Sequence, residues 1–134
     1  MTESYIQILK DAGTILLVDW PGVDVPLSLL KAGFTVIGYA PDNYSIATIE
    51  INSDGKEKLV FTALNKPPAS VDIVNIFRPE EEHEEIITRH ALPLKAKVIW
   101  LQPPVKSANT AILASENGLI FIEGIDLAAV AKTI

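Results

Sequence analysis

The sequence predicts an α/β domain: a three-layer, doubly wound and mainly parallel sheet of about five core strands with an inserted β-hairpin. Three observations carry this. The run Thr14 to Val18 is apolar almost throughout, as strands buried on both faces are. Helical patterns separate the strand-like runs, and strands alternating with helices pair in parallel through right-handed crossovers. The third is Val71 to Pro79, Val-Asp-Ile-Val-Asn-Ile-Phe-Arg-Pro, whose β-branched and aromatic content reads as a buried strand feeding straight into a helix.

In chain order, Tyr5 to Lys10 predicts a short leading helix closed by Gly13, and Thr14 to Val18 the first strand. Val25 to Ala32 fits a helix with Pro26 in its first turn, Asp24 as N-cap and Gly33 as C-cap. Phe34 to Ala40 is the second strand, ended by the loop Pro41-Asp42-Asn43. Ser45 to Ile51 and Lys58 to Ala63 flank the turn signal Asn52-Ser53-Asp54-Gly55 and predict the inserted hairpin. Lys66-Pro67-Pro68-Ala69 links it to the third core strand at Val71. The helix Glu80 to Ala91 follows, with Pro79 in its first turn, Glu80, Glu81 and Glu82 at the positive end of its dipole, and Ile86, Ile87 and Leu92 as its buried stripe. Ala96 to Leu101 is the fourth strand. Ser107 to Asn117 is a helix facing inward through Ile112 and Leu113 and capped by Gly118; Leu119 to Ile122 is the fifth strand and Leu127 to Lys132 a closing helix.

At 134 residues, 49% of them hydrophobic, the chain is one domain spanning residues 1–134 and buries roughly two-thirds of its unfolded surface. It has no cysteine, which excludes disulfides, thiolate metal sites and a cysteine nucleophile. The formal net charge of −6 opposes general nucleic-acid binding, which needs clustered Lys and Arg. The amino-terminal residues lack the pattern of a signal peptide and no apolar run approaches the ~20 residues of a membrane span, so a cytoplasmic, soluble protein is expected.

Open α/β sheets bind ligands beyond the carboxyl ends of their strands. Arg78 sits at such an end, where it either meets an anion or pairs with the neighbouring glutamates. Gln102 either bonds a ligand or braces the adjacent loop, and Trp20 either stacks on an adenine ring or plugs the crevice. His83 and His90, seven apart on one predicted helix, are expected to be solvated rather than metal-bound, since the same-face residue between them is Ile87. A faint calcium-loop echo at Glu50, Asn52 and Asp54 fails because Phe61 stands where a bidentate Glu is needed. No Ser-His-Asp set, HExxH, P-loop or GxGxxG is present, so no catalytic residue is expected.

Val71-Asp72-Ile73-Val74-Asn75-Ile76-Phe77-Arg78-Pro79-Glu80, Lys97-Val98-Ile99-Trp100-Leu101-Gln102 and Asn117-Gly118-Leu119 together resemble the small stand-alone CoA-binding domain family. That family shares a Rossmann-like fold with the CoA-binding domain of succinyl-CoA synthetase, and the resemblance covers about Thr14 to Ile125. It implies a non-catalytic module holding CoA or a related nucleotide, without metal. Gly22 and Val23 would offer backbone amides, Ala40, Pro41 and Asp42 would line the adenosine side, and Arg78, next to Phe77, would meet a phosphate. Gln102, with Pro103 and Pro104, would close the crevice.

The departures cluster at these loops. Asp19-Trp20-Pro21-Gly22 stands where the family has Gly-x-Ser and a longer loop, and a carboxylate there repels phosphate. Tyr39-Ala40-Pro41 replaces Val-Asn-Pro, Pro103-Pro104 replaces x-Gly, and the Asp-Arg-Cys near the last strand is replaced around Gly124-Ile125-Asp126. The alternative expectation is therefore a degenerate domain that has lost CoA and serves as a structural or self-associating module.

Overall fold

The computed structural model of the chain describes residues 4–39 and 43–134. Ala40, Pro41 and Asp42 lie outside the described residues. The described residues build a seven-stranded sheet from β1 (Thr14–Val18), β2 (Thr35–Tyr39), β3 (Tyr44–Ile51), β4 (Glu57–Ala63), β5 (Ile73–Ile76), β6 (Val98–Leu101) and β7 (Ile120–Ile122), in the order β4-β3-β2-β1-β5-β6-β7. The five strands from β2 to β7 through β1 are parallel, and the β3–β4 hairpin adds two antiparallel strands beyond β2. Five core strands and an inserted hairpin are thus both present. The chain leaves β1 first towards β2 and later returns to β5 on its other side, so the order reverses at β1, the kind of point beyond whose carboxyl end open α/β sheets bind ligands.

Successive side chains of a strand point to opposite faces. Ile15 and Leu17 of β1 enter one core with Leu9 of helix α1 (Ser4–Asp11), Val25 and Leu29 of α2 (Asp24–Lys31) and Leu127 and Ala128 of α5 (Leu127–Ala131). Leu16 and Val18 enter the other, with Ile86 and Ile87 of the helix after β5 and Ala114 of α4 (Ala108–Glu116). Helices therefore cover both faces, giving three layers. No described helix is long and apolar enough to cross a membrane.

Local chemistry explains most boundaries. Asn52 Oδ1 accepts the Asp54 and Lys56 amides and Gly55 takes φ +78°, which closes the hairpin. Ser107 caps α4 by accepting the Thr110 amide at 3.0 Å, and Gly33, at φ +97°, follows the end of α2.

Four expectations are corrected. Val23, not Asp24, is the N-cap of α2; it offers no side-chain cap, and Asp24 lies inside the helix, where it pairs with Lys132. Pro79 precedes its helix with extended backbone (ψ 153°) instead of entering the first turn. That helix is not one regular α-helix: a 3-10 turn (Glu80–Glu82) leads into α3 (His83–Ile86) and then a π-helical segment (Ile87–Ala91). The wide turn, seen in the Leu92 amide bonding the Ile87 carbonyl at 2.9 Å, turns Leu92 outwards and buries Ala91 and Leu94 instead. In α4 Leu113 packs on the core as expected, beside the buried Thr110 and Ala114, while Ile112 is exposed.

Asp72 fastens the opposite end of the sheet. Its Oδ2 accepts the Gly13 amide at 2.8 Å and the Thr14 amide at 2.9 Å, tying the start of β1 to the approach to β5. Burial raises its pKa, but the Thr14 and Gly13 amides and the nearby Lys97 outweigh burial and hold the carboxyl below its ordinary value. A depressed carboxyl contributes stability above its unfolded pKa and loses it as pH falls through the folded one. Asp72→Ala is expected to cost about 1–3 kcal/mol at neutral pH and to lose stability less steeply than wild type towards acid, measured by urea unfolding at a series of pH values.

Candidate functional site

The carboxyl end of β1 turns sharply at Asp19, which adopts φ +63°, a left-handed conformation that Asp tolerates better than most residues. Its Oδ1 accepts the Trp20 amide at 2.9 Å, and its Oδ2 accepts from Arg78 Nη1 at 3.1 Å. The Arg78 guanidinium also makes a two-pronged contact with Glu82, Nε to Oε1 at 3.0 Å and Nη2 to Oε2 at 2.7 Å. Glu82 first and Asp19 second raise the Arg78 pKa, and the Arg78 hydrogen bond holds Glu82 below the usual carboxylate range. Arg78 thus lies at the strand end expected for it, and its partners are carboxylates of this chain.

Next along, Gly22 and Val23 lead into α2. Val23 is 61% exposed, and a Cβ on Gly22 would meet nothing within 4 Å. Trp20 turns back over β2 and stacks on Phe61 of β4, with ring centroids 4.7 Å apart and planes 17° from parallel. The pair rests on Gly38, where a Cβ would come within 2.9 Å of Trp20 Cη2 and 3.0 Å of Phe61 Cε1. Trp20 is therefore packed against the sheet from the same side as α2 and is half-buried.

Gln102 is only 4% exposed and braces the structure. Its Oε1 accepts from Asn75 Nδ2 and from the Leu127 amide, both at 3.2 Å, and its Nε2 donates to Asp126 Oδ1 at 2.6 Å. Asp126 in turn caps α5 through the Ala128 amide. Asn75 Oδ1 is buried and has no hydrogen-bond partner among the described residues. Phe77 is half-buried, its amide bonded to the Val18 carbonyl at 3.0 Å. Pro103 is half-buried and Pro104 exposed, joined by a cis peptide bond directly after Gln102.

His83 is not solvated, and His90 is only partly so. His83 is 1% exposed, with Nδ1 2.7 Å from Thr110 Oγ1 and Nε2 2.8 Å from the Arg78 carbonyl. His90 is half-buried, its Nδ1 2.5 Å from the Tyr44 hydroxyl and its ring 4.2 Å from that of Tyr39. Burial pushes the His90 pKa down and that of Tyr44 up. The change from 3-10 through α to π winding sends them to different neighbours, α4 and β3. Among the described residues, no group of three or more His, Cys, Asp or Glu is placed to hold a metal ion. Sequence reasoning also missed Asn75 and Asp126; an amide inside an otherwise apolar strand was the available signal for the first.

Two substitutions test this arrangement. Gln102→Ala leaves Asn75 Nδ2 and the Leu127 amide without that partner; a loss of about 2–4 kcal/mol is expected, with hydrogen-exchange protection falling at Leu127 and Ala128. Gly38→Ala forces Trp20 and Phe61 apart; a loss of about 1–3 kcal/mol in urea is expected, with a change in the near-ultraviolet circular dichroism of Trp20.

The family model described as "CoA binding domain" matches residues 12–125. No curated protein matches the chain. Among solved structures, the chain is similar to Prb, the PH1109 protein redesigned for binding, at 19% identity and a TM-score of 0.73, covering 99% of this chain and 91% of that one. It is also similar to cell-free ID.343 from Thermus thermophilus, at 19% identity and a TM-score of 0.66, over 99% and 98% of the two chains. A hypothetical protein from Pyrococcus horikoshii OT3 matches at 18% identity and a TM-score of 0.62, over 99% and 92%. These likenesses show a common Rossmann-like α/β fold. With the family match spanning both the sheet and the loops at its carboxyl ends, the chain belongs to the CoA-binding domain family.

Proposed function

We propose that this chain is a non-catalytic binding module that holds CoA or a related nucleotide beyond the carboxyl ends of β1, β2, β5 and β6. The observation that carries this reading is the start of α2: no side chain caps it, and Gly22 and Val23 stand open before it. Uncapped helix amides are donors suited to a phosphate. On that side the fit is partial, because Asp24 puts a carboxylate, paired with Lys132, in the first turn and Pro26 has no amide proton to donate. Gly22 and Val23 would hold its phosphates through backbone donors, with the adenosine side along the end of β2.

At Arg78 the fit requires an exchange. Its guanidinium reaches two carboxylates, so a phosphate engages it by displacing Asp19 or Glu82. Exposed pairs of this kind are worth at most about 1 kcal/mol, within reach of a charged ligand.

The same ion pairs favour a second reading, a closed domain that acts as a structural or self-associating module. Isothermal titration with CoA, acetyl-CoA, ATP and NAD at matched salt separates the two. Under the first, CoA binds, Arg78→Ala weakens it roughly tenfold, and Asp19→Asn tightens it by a similar factor through loss of a repelling charge. Absence of heat from all three proteins up to millimolar ligand would sink the binding reading, and heat from Asp19→Asn alone would favour the closed domain.

A further inference from the structure

The two edges of the sheet differ. β7 is three residues long, which blunts it as a template for another strand. β4 is seven residues long, pairs with β3 in an unbroken register from Glu57 to Ala63, and holds no Pro, no Gly and no bulge. The hairpin's own bonds fix which way its backbone faces. The Asn52 amide bonds the Lys56 carbonyl at one end and the Leu64 amide bonds the Tyr44 carbonyl at the other, both at 2.9 Å. Bonded pairs alternate along an antiparallel ladder, so Lys58, Val60 and Thr62 turn their amides and carbonyls to β3, while Glu57, Leu59, Phe61 and Ala63 turn theirs outwards. Among the described residues no backbone group reaches those outward amides and carbonyls. The centre of the strand is also apolar. Val60 is half-buried yet packs in neither core, and Leu59 and Phe61 are only partly covered by the core behind them.

We propose that β4 is the contact surface for a second copy of this chain, which adds its own β4 antiparallel and continues the sheet across a twofold axis at Val60. That axis sets Glu57 against Ala63 of the second copy, Leu59 against Phe61 and Val60 against Val60. All seven residues are then paired, and every outward amide meets an outward carbonyl. Shifting the pairing by two residues leaves part of each strand without a partner. Charge permits the contact as well: only Glu57 and Lys58 of β4 are charged, and the axis places them against Ala63 and Thr62, so no like charges meet. Directly opposed residues share a face of the sheet, so Leu59 of the second copy comes to lie beside Phe61 and the Trp20 ring stacked on it. Pairing at this edge is separate from the ligand question, because β3 and β2 lie between β4 and β1, and titration decides CoA binding independently.

The test is sedimentation of the full chain without ligand, from about 1 µM to about 1 mM, beside amide-resolved hydrogen exchange at both ends of that range. A dimer with a Kd on the order of 10–100 µM is expected, as suits a contact at the small end of specific interfaces. The Leu59 and Phe61 amides are expected to exchange at least roughly threefold more slowly in the concentrated sample, while those of Val60 and Thr62 are protected in both. Val60→Lys and Val60→Glu are each expected to weaken association roughly tenfold with urea unfolding unchanged, since like charges then face each other across the axis. An equimolar mixture of the two variants is expected to restore it. A wild type still monomeric at about 1 mM overturns the proposal, as does a dimer whose Leu59 and Phe61 amides exchange freely. A dimer indifferent to both substitutions, or a mixture that associates no better than its components, overturns it too. The exchange measurement needs no variant, so it decides the matter should a substitution disturb the hairpin.

Discussion

Burial of β1 and β5 on both faces is the constraint on which the rest of the molecule depends. Every side chain from Ile15 to Val18 and from Ile73 to Ile76 is packed away from water, and one of them, Asn75, is polar. Strands of this kind have no solvated face on which chemistry can be displayed, so polar function is pushed to their ends. The two ends are handled differently. At the amino end Asp72 ties β1 and β5 together through backbone amides, a fixed clamp. At the carboxyl end the chain must turn out of the sheet within one or two residues, and Asp19, Arg78 and Gln102 occupy those turning points.

Charge at that end follows a different logic from the one the family description suggests. A nucleotide site gathers donors and positive potential around phosphates. Here one guanidinium lies between two carboxylates, and the open donors are backbone amides at the start of α2. Asp19 accepts a left-handed backbone in order to reach both Trp20 and Arg78, a local cost that the ion pair and the amide bond offset. The loop is an organised structure with its own internal partners.

The elements could be read from sequence where a local signal decides them. The apolar run of β1, the Asn52 to Gly55 turn, Gly33 after α2 and Gly118 after α4 each act through neighbouring residues, and each is found in place. The π-helical segment had no such signal, because its wide turn is fixed by packing Ile86, Ile87 and Ala91 against the sheet. His83 and His90 were misread for the same reason, since ideal helical spacing does not survive a change of winding. For Arg78 and Gln102 the sequence left two partners open, and residues distant in the chain, Asp19, Asn75 and Asp126, decide between them.

The two tryptophans divide the molecule optically. Trp100 is completely enclosed, with its indole nitrogen bonded to the Ile125 carbonyl at 2.9 Å, whereas Trp20 lies half-buried on Phe61 just after β1. Their emission therefore separates by colour and by access to quenchers. Trp100 supplies a constant blue background, and Trp20 is a native fluorophore beside the carboxyl end of β1, so the protein carries its own probe of that end of the sheet without any label.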